Sequence, residues 1–233
     1  DAPRTTVLLR DAHGAITTSG TTTAGIPPGS WRTAVEAALR GRAIAFLSTA
    51  ELVTPGLVLR GGAETGDAVA VPEFPVATVV ESDRPRFRWA APPGGVVRVA
   101  VYTPDTQRVV QSGWMQATAW QAPASLPRGT TLVWQVESRT AEEAADGRVS
   151  APARFRVLSS AEAARLVTAR ATGSHLVLGT VAAELGQLDL AAAEFRRLRA
   201  LNPDSPLAVA LHEQALRAQR AAPTATKEAQ KNG

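Results

Sequence analysis

Between residues 72 and 158 apolar side chains recur at every second position, and after Ser159 they recur at helical spacing. The first pattern is clearest at Pro85–Tyr102. Phe87 and Trp89 alternate with Arg86, Arg88 and Ala90, as on a half-buried strand. Pro92-Pro93-Gly94-Gly95 breaks the run, and Val97, Val99 and Val101 then share one face against Arg98, Ala100 and Tyr102. Leu132, Trp134 and Val136 repeat the alternation, as do Phe155 and Val157. The pattern predicts strands over 76–80, 86–91, 96–103, 107–112, 118–121, 130–139 and 152–158. Short strands at about ten-residue spacing, parted by turn residues, are the mark of a two-sheet sandwich.

The period of 3.6 predicts a helix from the Ser159-x-x-Glu162 capping box to about Ala171, ended by Gly173. A second runs from Ser174 to Gly186 and a third from Asp189 to Leu201, closed by Asn202-Pro203. A fourth opens at Ser205 with Pro206 in its first turn, where proline is tolerated. At the other end, Thr6–Arg10, the turn Asp11-Ala12-His13-Gly14 and Ala15–Thr18 read as a hairpin. Trp31, Val35, Ala38 and Leu39 share a helical face that begins at Ser30 or Thr33, with Thr33-x-x-Glu36 as its capping box and Gly41 as its stop. Ala43–Leu47 fits a strand or a turn, and Leu57–Arg60 fits a strand ended by Gly61-Gly62.

These patterns give a multidomain α+β chain. The expected division is a small α+β unit over 1–71, a β-sandwich over 72–158 and a helical domain over 159–220. The polar stretch 221–233 has no apolar period and is expected to be disordered. Four of the five tryptophans, Trp89, Trp114, Trp120 and Trp134, fall within the sandwich. Trp89 and Trp134 lie inside alternating strands and are expected in the core. Trp114 and Trp120 flank a turn or an edge, and they are the candidate contacts for a ligand or partner.

The net charge of +4 is spread along the chain, and only Arg196-Arg197-Arg199 approaches a basic cluster, so nucleic acid is not an expected partner. Absence of cysteine removes disulfides, thiolate metal sites and cysteine nucleophiles. No apolar run reaches the roughly 18 residues that span a bilayer. The chain starts at Asp1 rather than Met, so any membrane anchor is expected upstream.

No catalytic motif in the sequence is complete. Gly61–Gly66 has the glycine spacing of a phosphate loop, but Asp67-Ala68 stand where lysine and a hydroxyl are needed. His212-Glu213 begins a zinc-helix motif, but Leu216 occupies the second ligand position. Glu142, Glu143 and Asp146 read as a solvated turn before Gly147. No Gly-x-Ser-x-Gly elbow is present. The chain is therefore expected not to be an enzyme and to need no cofactor or metal.

Three resemblances follow from the motifs. Trp89 followed by Pro92-Pro93, and Leu126, Gly129 and Thr130 before the strand of Trp134, resemble a fibronectin type III or related immunoglobulin-like domain. Leu132 stands where that family places a corner tyrosine. Leu178, Gly179, Gly186, Ala191, Phe195 and Pro203 are similar in spacing to one tetratricopeptide repeat. In that repeat Gly179 would let two helices approach, Ala191 would be the small contact, and Phe195 would fill the gap. The order of modules, with DRPRFRWAAPPGG and LVLGTVAAELGQLDLAAAEFRRL, resembles the extracytoplasmic part of bacterial anti-sigma-factor-like membrane proteins. In those proteins a zinc-finger region and a membrane helix would precede such a segment. The resemblance implies a periplasmic location, or the extracytoplasmic face of the inner membrane, and a non-catalytic role in sensing or binding a protein partner. A carbohydrate- or cell-wall-binding role through Trp114 and Trp120 is the alternative.

Overall fold

The computed structural model describes residues 5–19, 21–49, 52, 70–91, 94–139 and 147–221. The chain is mixed α+β and divides into two compact units, one built on residues 1–48 with 161–222, the other on 49–160. The expected strand at Leu57–Arg60, the Gly61–Gly66 segment, Pro92-Pro93, the acidic residues Glu142, Glu143 and Asp146, and the tail from 222 lie outside the described residues.

The first unit opens with an antiparallel meander, β1 (Thr5–Asp11), β2 (Gly14–Ser19) and β3 (Thr22–Ala24). Leu9 and Ile16 face each other across the first pair and are both buried, which anchors its inner side. Helix α1 (Arg32–Leu39) buries Val35, Ala38 and Leu39. Its expected capping box does not form. The helix is entered through buried Trp31, whose Nε1 donates to Pro27 O at 3.0 Å, and no side chain caps it. Glu36 instead pairs with Arg32 and Arg40, its i−4 and i+4 neighbours. Gly41 closes the helix at φ +73°, where a Cβ would be strained. Ala43–Leu47 adopts neither helix nor strand. It is held by Ile44 N–H donating to Gln214 Oε1 at 3.0 Å and Leu47 N–H donating to Ala183 O at 3.1 Å.

Four helices complete this unit: α2 (Ser160–Ala171), α3 (His175–Glu184), α4 (Leu188–Leu201) and α5 (Pro206–Ala221). Their starts and stops fall where Ser174, Gly173, Gly186 and Pro206 place them. Ser174 Oγ accepts from Val177 N–H at 3.0 Å, and Gly173 and Gly186 take positive φ. Helix α3 is buried from Leu176 to Ala183, so it is the centre of the unit. Phe195 of α4 lies against Gly179 so closely that a Cβ there would sit 2.7 Å from the ring.

The N-terminal segment does not stand as a separate unit before the sandwich. Polar ties join it to the helices across more than 160 residues. Asp11 accepts from Ser174 Oγ at 2.5 Å, His175 N–H at 2.9 Å and Leu176 N–H at 3.3 Å, and so caps α3 from outside it. Asn202 accepts from Arg10 N–H at 2.6 Å and donates to Arg10 O at 2.7 Å, engaging both polar groups of one residue.

The second unit contains two sheets with one shared core. One holds β5 (Thr78–Val80), β12 (Ala153–Val157), β10 (Thr131–Arg139), β7 (Val96–Tyr102) and β8 (Arg108–Gln111) in that order, with β11 (Arg148–Val149) beside β10. The other has the order β4 (Val71–Phe74), β6 (Arg86–Ala90) and β9 (Ala119–Gln121). Their inner faces meet through Phe87, whose ring lies 5.0 Å from Trp134 and 5.6 Å from Phe155, both edge-on. Trp89 and Trp134 are buried as expected, and Trp134 Nε1 donates to Pro75 O at 2.7 Å. β4 and β11 were not expected from the sequence.

The corner at Leu126–Thr130 is fastened without a tyrosine. Leu126 N–H donates to Asp83 O and Gly129 N–H to Val157 O. The Arg128 guanidinium donates to Glu81 O and Leu158 O, each at 3.2 Å, and pairs with Asp83 at 3.2 Å. Leu132, at the tyrosine position, is buried in the core instead.

Candidate functional site

Trp114 and Trp120, the two expected contacts, are not brought together. Trp120 on β9 is half-buried, and its ring packs 5.6 Å from Phe87, which makes it part of the shared core. Trp114 follows β8 and is 36% exposed. It is held from the outer side of the larger sheet. The guanidinium of Arg98 lies 4.7 Å from its ring centre and that of Arg139 lies 4.2 Å away. Glu137, cross-strand partner of Arg98, accepts from both arginines, one through each carboxylate oxygen. Gly147 lies close beside them: a Cβ there would meet Glu137 Oε1 at 2.8 Å and Arg139 Nε at 3.0 Å, and the two side chains would have to shift.

Alternation along the strands decides what else shares this face. On β7 the residues turned from the core are Val96, Arg98, Ala100 and Tyr102, and on β10 they are Thr131, Val133, Gln135, Glu137 and Arg139. Arg154 and Arg156 occupy the same side of β12. The register puts Arg154, Val133, Tyr102 and Arg108 in one cross-strand row. Gln135, Ala100 and Gln111 form a parallel row further along. The arginines are scattered over nearly sixty positions of chain, and only the strand order gathers them. Their sequence signal was the polar phase of each alternating strand, but which strands adjoin is not written in that phase.

The first unit has a different character. An open cleft of about 570 Å³ lies between Gly41–Phe46 and the last turns of α5, walled by Ala43, Ile44, Phe46, Ala218 and Ala221. Its polar lining is Gln214, already accepting from Ile44 N–H, and Arg217. Elsewhere the ionisable groups link elements. Glu194, 3% exposed, takes His175 Nδ1 at 2.7 Å and the Arg197 guanidinium, which joins α3 to α4. His212, on α5, is held below its ordinary pKa by burial first and by the positive charge of Arg199 and Arg196 second. Its Nδ1 is buried with no hydrogen-bond partner among the described residues. Among the described residues no group of three or more His, Asp or Glu is placed to hold a metal ion, and no helix is long and apolar enough to cross a membrane.

No family model matches the chain, and no curated protein matches it. Two solved structures are similar in part. CopC from Methylosinus trichosporium OB3b aligns over 40% of this chain and 94% of its own, at 17% identity and a TM-score of 0.29. The β-glucuronidase of Parabacteroides merdae aligns over 64% of this chain and 28% of its own, at 10% identity and a TM-score of 0.25. Both scores are too low to carry an argument about this chain.

Proposed function

We propose that the chain is a non-catalytic protein-interaction and sensing module, the periplasmic part of a membrane-anchored bacterial regulator. In this reading the two-sheet unit is an immunoglobulin-like or fibronectin type III-like sandwich, and α3 and α4 are a tetratricopeptide-like pair. The observation that carries it is the destination of the polar groups. Asp11, Glu194, Asn202 and Arg128 are spent on joining elements, whereas Trp114, Arg98 and Arg139 are ordered on an open sheet face. A catalytic site gathers polar groups in a cleft, and the described cleft is lined mainly by carbon. The close seat of Phe195 on Gly179 supports the repeat-like reading of α3 and α4.

The test is site-specific photocrosslinking from position 111, beside Trp114, in the full-length protein in bacterial cells. The expected result is one discrete protein adduct in the envelope fraction, absent when the crosslinker is placed at Arg217 in the other unit. Adducts that are absent, or identical from both positions, refute the reading. The carbohydrate alternative rests on the exposure of Trp114. Two guanidiniums already lie over that ring, which is the surface a sugar would stack on.

A further inference from the structure

We propose that the outer face of the six-stranded sheet docks an acidic segment of a partner protein; this rests on the interaction reading above and names the chemistry of the partner. On the described strands of this face the charged side chains are Arg98, Arg108, Arg139, Arg154, Arg156 and Glu137. Glu137 is taken by Arg98 and Arg139, and Arg108 and Arg154 extend the positive charge of the face beyond that cluster. A row that begins and ends in arginine, Arg154 and Arg108, is the charge complement of a carboxylate-rich segment.

The geometry gives the segment a length. Arg154 and Arg108 end a row that crosses β12, β10, β7 and β8, which is about 14 Å at the usual strand spacing. Arg98 lies four residues from Tyr102 along β7, again about 13 Å. Between these positive ends lie Ala100, Gln111, Gln135 and Val133, which are small, neutral or apolar. An extended chain spans that distance in about four residues. The fitting partner therefore carries acidic residues about four apart in an extended segment, with uncharged residues between.

The surface around the arginines suits a protein more than a polysaccharide. Tyr102 and Trp114 with arginine are the residue types that dominate protein interfaces. Val133 is the cross-strand partner of Tyr102, and Val96 is that of Arg139, whose guanidinium lies on Trp114. Stacking on Trp114 and pairing with Glu137 already orient the guanidiniums of Arg98 and Arg139, so this end of the face is ordered before a partner arrives.

The experiment uses the whole chain and three fluorescent probes: a twelve-residue peptide with glutamate at every fourth position, the same peptide with lysine there, and an oligogalacturonate of similar charge. Anisotropy is read at about 50 mM and 300 mM salt, a range that strongly screens exposed charges. The glutamate peptide is expected to bind, weaken with salt, and weaken about tenfold or more on R108E/R154E, which reverses two charges of the row. Neither of those arginines takes part in the Glu137 cluster, so fold is checked in the same samples by circular dichroism. R98Q, which removes one stacked guanidinium, is the second variant and is expected to weaken binding by several fold. No binding of the glutamate peptide at low salt, equal binding by wild type and R108E/R154E, or binding of the galacturonate alone overturns the proposal. A cellular adduct formed equally by wild type and R108E/R154E overturns this assignment of partner chemistry and leaves the interaction reading standing.

Discussion

Gly179→Ala sets two measured effects against each other at one atom. In the interior of a helix, alanine is better than glycine by about 0.8–1 kcal/mol. By that rule alone the substitution stabilises α3. The structure places the new Cβ 2.7, 2.9 and 3.0 Å from Cε1, Cδ1 and Cζ of Phe195. Carbon atoms rest at about 3.5–4.0 Å. The ring must move by several tenths of an ångström, yet Phe195 is fully buried among packed side chains. Overpacking of that kind costs about 1–3 kcal/mol, so the net expected loss is about 1 kcal/mol. In a Phe195→Leu background the obstruction shrinks, and Gly179→Ala is expected to be neutral or stabilising. The coupling between the two sites should then be about 1 kcal/mol or more. Urea unfolding followed by circular dichroism at 222 nm reports the helices. Tryptophan emission mainly follows the other unit, which holds four of the five tryptophans. An increase in the helical midpoint equal to the full propensity gain, with no coupling to position 195, refutes the packing argument.

Three further substitutions probe other joints. Asp11→Ala removes the acceptor for Ser174 Oγ and two backbone N–H groups of α3; a loss of about 1–3 kcal/mol is expected, with faster amide exchange at His175 and Leu176. Arg128→Ala releases Glu81 O and Leu158 O, for an expected loss of about 1–2 kcal/mol, because the half-exposed Asp83 pair adds little. Arg128→Lys should recover only a fraction of this in thermal melts, since one ammonium cannot reproduce the planar fork. For His212 the folded pKa lies below the unfolded value of 6.5. The unfolded chain therefore takes up the proton first, and stability present above pH 6.5 is lost as pH falls below it. His212→Gln should flatten that part of the stability–pH curve in urea titrations at fixed ionic strength.

The sequence carried the local structure well and the long-range joints poorly, for a physical reason. Alternation is a property of each strand alone, so Phe87, Trp89, Trp134 and Phe155 could be assigned to a core before any pairing was known. Stops at Gly173 and Gly186 were legible because positive φ favours glycine. Thr33-x-x-Glu36 misled because Glu36 had two arginine neighbours competing for its carboxylate. β4 and β11 are too short and mixed for any period to show. Trp120 looked like an edge residue, yet its strand pairs with β6 and turns the ring onto Phe87. Arg128 fastens the corner before β10 by reaching carbonyls at Glu81 and Leu158, and no local pattern announces such partners. The arginine face was invisible for the same reason: four separate strands each contribute one or two positive charges.

The first unit is assembled from the two ends of the described chain, with the strand-rich unit encoded between them. This sets a timetable during synthesis. The meander and α1 leave the ribosome early, carrying Leu9, Ile16, Trp31 and Val35, while the helices that cover them are still untranslated. At about 5–20 residues per second the wait for α5 is on the order of ten seconds or more. Over that interval the intervening strands can already condense, and the early segment is left as an oily surface awaiting its cover. Nascent chains stalled before Ser174 should therefore be the ones that recruit chaperones through the segment from Thr5 to Leu39.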